Sequence, residues 1–210
     1  QITRIACRRL AVTEKSDLAL LAWAQEAKIE ARGIETDPIN IKQLTKIIPE
    51  IREMTVLKPN VFCHRLKEML ASCGIALVFL PHLKGSFLQG ASFIDGNKIV
   101  LGLTARGKDA DKFWFSLFHE LGHIILGHVG QAGGTTEQDE ENANTWSKNK
   151  LIPPEEFQIF KNREIFTKAS VENFARSIGI APGIVVGRLQ KEDYILHSMF
   201  NELKEHYIIG

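Results

Sequence analysis

Two histidines one helical turn apart, with a glutamate beside the first, constrain this chain more than any other feature. They lie in the segment His119-Glu120-Leu121-Gly122-His123. Residues four apart share one face of an α-helix, so both imidazoles can bind one Zn²⁺ while Glu120 reaches a water beside it. Large apolar residues on both sides of the motif predict a buried helix, and buried histidines need polar partners. The motif therefore predicts a catalytic zinc site.

A catalytic zinc ion usually takes three protein ligands, so a further donor is expected outside this motif. His128 has the wrong spacing for the longer HExxHxxGxxH pattern, because Leu126 and Val129 stand where that pattern needs Gly and His. If the helix continued, His128 would point away from His119. We expect His128 at the helix C-terminus, where it interacts with free carbonyl groups.

The third ligand is expected on the next helix, after a glycine-rich reversal at residues 127–134. Helical periodicity places Glu140 on one face together with the small Ala143 and the polar Asn144. Glu140 is the predicted metal ligand, and Asn144 is the predicted outer group that orients a ligating histidine. Glu141 is the alternative ligand.

These positions define the expected chemistry. Zn²⁺ polarises a carbonyl and lowers the pKa of a bound water, and Glu120 takes the proton and delivers it to the leaving amine. The sequence does not identify the group that stabilises the oxyanion. Each candidate is also explained as an ordinary surface or core residue; they are His64, His197, His206, Tyr194 and Tyr207.

Composition excludes several classes of protein. The chain has 210 residues, 44% of them hydrophobic and 24% charged, as expected of a globular protein. A formal net charge of +1 gives no general attraction to nucleic acid or anionic membranes. Three widely spaced cysteines indicate reduced thiols and a cytoplasmic location, and the sequence contains no membrane-spanning apolar run. Because Gln1 stands where a start Met is expected, we expect an excised part of a longer protein.

Periodicity and turn residues divide the chain into three regions. These are a helical N-terminal region at 1–73, a metal-binding core at 74–154 and a helical C-terminal part at 155–210. Three largely antiparallel strands are predicted in the core, at 75–80, 86–94 and 98–103, with an Asp95-Gly96 hairpin turn. One helix is expected to begin at Pro38, and Thr136 with Asp139 resembles a capping box at the start of another.

The chain resembles the ImmA/IrrE family of zinc metallopeptidases over about residues 75–195. The resemblance rests on four separated motifs in order: Gly90 to Phe93, Phe113 to Ile124, Glu140 to Pro154, and Ile180 to Gln190. The family pattern around the third ligand resembles Glu-x-Glu-Ala-Asn-x-Phe-Ala-Ala, which aligns its first Glu with Glu140. This chain departs from that pattern at Asn142, Trp146 and the Ser147-Lys148 pair.

The resemblance implies an α+β, zincin-like metallopeptidase with an active-site helix, a small antiparallel sheet and helical N- and C-terminal parts. It implies a zinc-dependent endopeptidase whose edge strand pairs with an extended protein substrate. Relatives often follow a helix-turn-helix of the XRE repressor type, and some resemble toxin–antitoxin pairs. The expected protein partner is therefore a repressor or toxin. Binding to DNA is expected only through an upstream helix-turn-helix domain.

Two other functions compete with this hypothesis. Residues 171–189 have offsets typical of a helix-turn-helix, with Arg188 and Gln190 as the plausible readers of DNA, although a packed helical hairpin explains the segment better. The chain could also be a catalytically silent sensor or antitoxin domain of a transcriptional regulator, with zinc bound and no turnover.

Overall fold

The computed structural model describes residues 6–7, 14–81, 89–104, 108–131, 134–163 and 165–209. The helices are α1 (Glu14–Ala31), α2 (Ile41–Glu53), α3 (Pro59–Ala71), α4 (Ala110–Ile125), α5 (Glu137–Leu151), α6 (Pro154–Lys161), α7 (Lys168–Ile178) and α8 (Pro182–Lys191). The strands are β1 (Ala6–Cys7), β2 (Ile75–Leu80), β3 (Gly90–Asp95), β4 (Lys98–Thr104), β5 (Lys108–Asp109) and β6 (His206–Tyr207). The predicted α+β class is confirmed.

The main sheet has the strand order β1-β3-β4-β2 and is mixed, with two antiparallel pairings and one parallel pairing where largely antiparallel neighbours were expected. The predicted hairpin is present, since β3 and β4 pair antiparallel up to Asp95 opposite Lys98. The difference lies in β2, which pairs in parallel with β4 from Ile75 opposite Ile99. Local turn residues fix a hairpin, whereas the partner of β2 depends on which face of each strand is buried.

Alternation along the strands gives the sheet two buried faces. Ala76, Val78 and Val100 face α1, where Trp23 and Ala27 complete a small apolar cluster. The alternate residues face the larger core, which also contains residues of α2, α3 and the motif helix α4; they include Ile75, Leu77, Ile99 and Leu101. Ser92 falls between Ala91 and Phe93 of the α1 face, so this alternation directs Ser92 toward α4.

The start of α2 shows how a tertiary contact can delay a helix relative to the sequence prediction. Helix α2 was expected at Pro38 but begins at Ile41, with the Asn40 side chain capping the Gln43 amide at 2.9 Å. The backbone amides of Asp37 and Asn40 instead donate to carbonyls at the end of α3. This tertiary pairing holds residues 37–40 out of the helix.

Two further predictions concern the start of the second predicted strand and the division of the chain into regions. The predicted start of the second strand at residues 86–88 lies outside the described residues. The division at 73/74 and 154/155 stays a prediction. Within the described part of the chain, no helix combines the length and the apolar character that a bilayer crossing requires.

We expect Gly102→Ala to destabilise the protein by about 1–3 kcal/mol, because overpacking forces neighbours to move. A Cβ at Gly102 would lie 2.6 Å from the Trp23 ring, which is itself 2% exposed. Gly33→Ala is the matched control, since its Cβ would meet only a backbone oxygen of Glu30 at 3.9 Å. Urea unfolding measures both variants. Equal midpoints for the two would contradict this description of the α1–sheet contact.

Candidate metal centre

Helix α4 carries the whole motif in its last turns. His119 and His123 are 7% and 0% exposed, and both lie among the apolar residues that bury this helix, as predicted. The helix ends where Gly127 takes a left-handed conformation (φ +77°). The amide of Gly127 then donates to the Ile124 carbonyl and the amide of His128 to the His123 carbonyl. This is a Schellman ending, and it turns the chain back alongside the last turn of the helix.

Three of the predicted site residues converge. The Nε2 atoms of His119 and His123 lie 3.0 Å apart. The carboxylate of Glu140 lies against both, with Oε2 3.3 Å from His119 Nε2 and Oε1 3.3 Å from His123 Nε2. These three residues offer ligand atoms that all lie within 4.8 Å of one another. The arrangement is a possible His-His-Glu metal site, and the role of each residue as a ligand stays a prediction.

The polar atoms of this cluster fit a divalent cation. Both carboxylate oxygens of Glu140 are buried, and within the described residues neither makes a hydrogen bond. The Nε2 atoms of the two imidazoles also face each other at 3.0 Å. If both carry lone pairs, they repel each other. Two imidazoles with one carboxylate form the donor set of many catalytic zinc sites. A cation at the centre of the cluster would satisfy all of these groups.

The close approach of α5 to α4 brings Glu140 to the histidines. Ala143 is fully buried, and a Cβ at Gly122 would lie 3.3–3.4 Å from its backbone and 3.2 Å from the Trp146 ring. Ala143 therefore lies where α5 approaches Gly122 of α4. The capping box of Thr136 and Asp139 that starts α5 is confirmed.

Glu120 lies beside the cluster but has a different environment. It is 2% exposed, and Ser92 donates to its Oε2 from β3 at 2.8 Å. Burial raises the pKa of Glu120 to about 7, although His123 and the Ser92 hydroxyl act in the opposite direction. Gly90 gives it room, because a Cβ there would lie 3.0 Å from Glu120 Cγ.

Glu140 shows the opposite shift. Burial alone would raise its pKa, but the neighbouring His119 and His123 outweigh burial and lower the pKa to about 2. The two carboxyl groups therefore differ at neutral pH: Glu140 is fully ionised, while Glu120 is poised to gain or lose a proton. Such a pair of separated pKa values is typical of sites that divide acid–base work between two groups.

A cavity of about 440 Å³ opens beside this cluster. His119, Glu120 and Asn144 line it, together with Gly90 of β3. Asn144 is half-buried there, but within the described residues His119 Nδ1 has no hydrogen-bond partner, so the predicted orienting role of Asn144 stays a prediction. The alternative ligand Glu141 is exposed and lies outside the His-His-Glu cluster.

The predicted position of the His128 side chain is wrong. This side chain is 6% exposed and lies against the site, with its Nδ1 3.0 Å from Nδ1 of His123. Its Nε2 lies 3.3 Å from Oδ1 of Asp139. His128 was expected to point away from His119 only if the helix continued, but the chain reverses at Gly127 and brings the ring back to His123. A glycine directly before the histidine was the available signal, because it permits the reversal.

Ser92 was also missed as a partner of Glu120, because no sequence spacing connects a strand residue to a helix 28 positions later. Among the five oxyanion candidates, only His197 lines the cavity. Tyr207 is buried and its hydroxyl accepts from Trp114 Nε1 at 2.9 Å. The remaining three lie at exposed positions outside the cavity lining; they are His64, Tyr194 and His206.

The two α8 side chains that were candidates for DNA recognition make hydrogen bonds inside the protein instead. Arg188 is 7% exposed and donates to the carbonyls of Lys148 and Ile152, both at 3.1 Å. Gln190 is 4% exposed and donates to the carbonyls of His197 and Met199. Neither side chain is available to a DNA groove, and α7 with α8 forms the packed hairpin that the sequence analysis preferred.

We expect the metal-free protein to lose stability from Glu120 as pH rises from about 5 to about 8. Its folded pKa of about 7 lies above the ordinary 4.5, so in this range the folded state binds more protons than the unfolded state. The contribution amounts to roughly 3 kcal/mol, lost as pH passes through 7.

Glu120→Gln removes this titration, so its free energy of unfolding should exceed that of the wild type at pH 8 by more than at pH 5. Urea titrations of chelator-treated protein at both pH values measure the difference. The exposed Glu141→Gln is the control and should show the wild-type pH profile. A constant offset between Glu120→Gln and wild type at both pH values would contradict the raised pKa.

A match to a known protein family agrees with the geometry of the site. The family model of the IrrE N-terminal-like domain, Peptidase_M78, matches residues 76–190, more than half of the chain. This range runs from β2 to α8 and includes the complete His-His-Glu cluster. No curated protein and no solved structure matches the chain. The predicted resemblance is confirmed, and the chain belongs to the Peptidase_M78 family of IrrE N-terminal-like, metallopeptidase-type domains.

Proposed function

We propose that this chain is a zinc-dependent endopeptidase that cleaves a protein partner, with a repressor or a toxin as the expected class of substrate. One observation carries the proposal: the His119, His123 and Glu140 donors meet next to a buried Glu120 at the wall of an open cavity. Membership of a metallopeptidase-type family supports it.

The three proposed metal ligands come from two helices. His119 and His123 present Nε2 from one helix face, and Glu140 presents its carboxylate from α5. When bound there, Zn²⁺ supplies Lewis acidity at the edge of the cavity. The ionised Glu140 offsets one of the two positive charges of the ion.

Glu120 is the proposed general base and acid. Burial raises its pKa above the ordinary value, which suits a group that accepts a proton from water and returns a proton to the leaving amine. The water oxygen bonds to the peptide carbonyl carbon as Glu120 takes the proton. The C–N bond then breaks as the proton reaches the amine nitrogen, and the two products are a carboxylate and an amine. The Ser92 hydroxyl holds Oε2 of Glu120 in place, which leaves Oε1 for the proton transfer.

The outer edge of β3 is the proposed position of an extended substrate, because β3 carries Gly90 and Ser92 against Glu120. In the structure, β1 pairs there, with Ala6 opposite Ser92 and Cys7 opposite Ala91. A substrate strand would replace these backbone hydrogen bonds.

We therefore expect a chain lacking residues 1–8 to cleave peptides with a lower KM than the full chain, and with a similar kcat. The matched control is a full chain with Ala6 replaced by Gly, which keeps the backbone donors and acceptors of β1. Steady-state kinetics on one cleaved peptide separates the two constants. An unchanged KM in the truncated chain would contradict competition at this edge.

Glu120→Gln tests the proposed reaction itself. We expect it to lower kcat at least about 100-fold, the usual contribution of general acid–base catalysis, while zinc content stays at the wild-type level. His119→Ala should lose both activity and zinc. The probe is a mixed peptide library incubated with each variant, with new termini read by mass spectrometry and zinc measured by elemental analysis.

Glu141→Gln serves as the control, because it removes a neighbouring carboxylate that lies outside the cluster. Turnover that persists in Glu120→Gln would overturn the role of Glu120. If the biological effect of the chain persists in Glu120→Gln but is lost in His119→Ala, zinc has a structural or sensory role instead.

A further inference from the structure

We propose that His128 and Asp139 position His123 for metal binding, through a chain of contacts that runs from the His123 ring through the His128 ring to the Asp139 carboxylate. This inference rests on the proposed zinc site, and it assigns two positioning residues that the motif itself does not contain. Both lie outside the His-His-Glu cluster.

Backbone geometry places His128 in this position. The Schellman ending turns the chain at Gly127, and the His128 amide bonds to the His123 carbonyl at 2.9 Å. The two imidazole rings then lie face to edge, with centroids 5.2 Å apart and planes at 66°. A left-handed residue at position 127 is therefore part of how the second ring reaches the first.

Tautomers along this chain follow from the ligand role of His123. If His123 uses Nε2 for the metal, its neutral ring must carry the proton on Nδ1. That N–H faces Nδ1 of His128 at 3.0 Å, which must accept. The proton of His128 is then on Nε2, and it faces Oδ1 of Asp139 at 3.3 Å. Each nitrogen has one role, and no donor faces a donor.

The far end of the chain is anchored in the start of α5. Oδ2 of Asp139 accepts from the backbone amide of Thr136 at 2.9 Å and from the Thr136 hydroxyl at 2.8 Å. These hydrogen bonds hold the carboxylate in place, with Oδ1 toward His128. One capping box thus fixes Asp139 and also places the adjacent Glu140 at the metal site.

The two histidines of the cluster differ in their surroundings. His123 is fully buried and has an outer partner, whereas within the described residues Nδ1 of His119 has none. Outer partners of ligating histidines fix the ring orientation, and their loss typically weakens metal binding 10- to 100-fold. Substitutions at His128 should therefore act on metal binding through His123.

The test compares His128→Leu with His128→Asn, using the full chain and Zn²⁺ or Co²⁺ as the probe. Leu removes the acceptor, and we expect about 10- to 100-fold weaker Zn²⁺ binding in chelator competition, with an altered visible spectrum of the Co²⁺ form. Asn offers an amide oxygen near the place of Nδ1, so it should recover most of the affinity and the wild-type spectrum. Equal affinity in His128→Leu and wild type would overturn the proposal, as would an Asn variant that binds no better than Leu.

A second pair of variants decides the matter even if His128→Leu fails to fold by circular dichroism. Asp139→Ala removes both the cap partner and the carboxylate that faces His128, whereas Thr136→Ala weakens only the cap. We expect clearly weaker Zn²⁺ binding in Asp139→Ala than in Thr136→Ala, where the Thr136 backbone amide still holds the Asp139 carboxylate. The same affinity in both variants would show that only the cap matters, and would overturn the proposal.

His123→Ala separates this inference from the proposed function. Wild-type protein that binds Zn²⁺ no more tightly than His123→Ala would refute the zinc site, and the positioning role with it. Tight binding in the wild type that is lost in His123→Ala but kept in His128→Leu would leave the proposed zinc site in place and overturn the positioning role alone.

Discussion

The contact between α4 and α5 is the interaction on which the rest of this site depends. Gly122 and Ala143 meet with so little room that a Cβ at position 122 would lie 3.2 Å from the Trp146 ring. Only at this separation does the Glu140 carboxylate come within 3.3 Å of both imidazoles. Interiors are close-packed, so a larger residue at either position would move α5 and withdraw the carboxylate from the cluster.

The same packing gives two glutamates of one site opposite electrostatic environments. Glu120 is buried and accepts a hydrogen bond from the Ser92 hydroxyl, and the effect of burial dominates, so its charged form is disfavoured. Glu140 lies between two imidazoles, which favour its charged form strongly enough to outweigh burial. A carboxylate that stays ionised suits a metal ligand, and one that titrates near neutrality suits a general base.

The C-terminal helices illustrate a limit of motif reasoning. Offsets typical of a helix-turn-helix occur in α7 and α8, and the side chains of Arg188 and Gln190 are of types that read DNA bases. Both instead donate to backbone carbonyls of neighbouring segments. Arg188 also lies 3.9 Å from the centre of the Phe157 ring. A polar side chain on a helix reveals its role only when its neighbours are known.

Local patterns in the sequence determined most of the elements and the core of the site. Helical spacing placed His119, Glu120 and His123 on one helix, and periodicity selected Glu140 over Glu141 because Ala143 marks the face that packs closely. The capping box of Thr136 and Asp139 and the β3–β4 hairpin were predictable, because each depends on residues only a few positions apart. Tertiary structure alone decided the parallel pairing of β2, the approach of Ser92 to Glu120 and the return of His128 to His123. The physical reason is the same in all three cases: these contacts join groups whose relative position depends on packing or on a backbone reversal, and neither is encoded in the spacing of the residues involved.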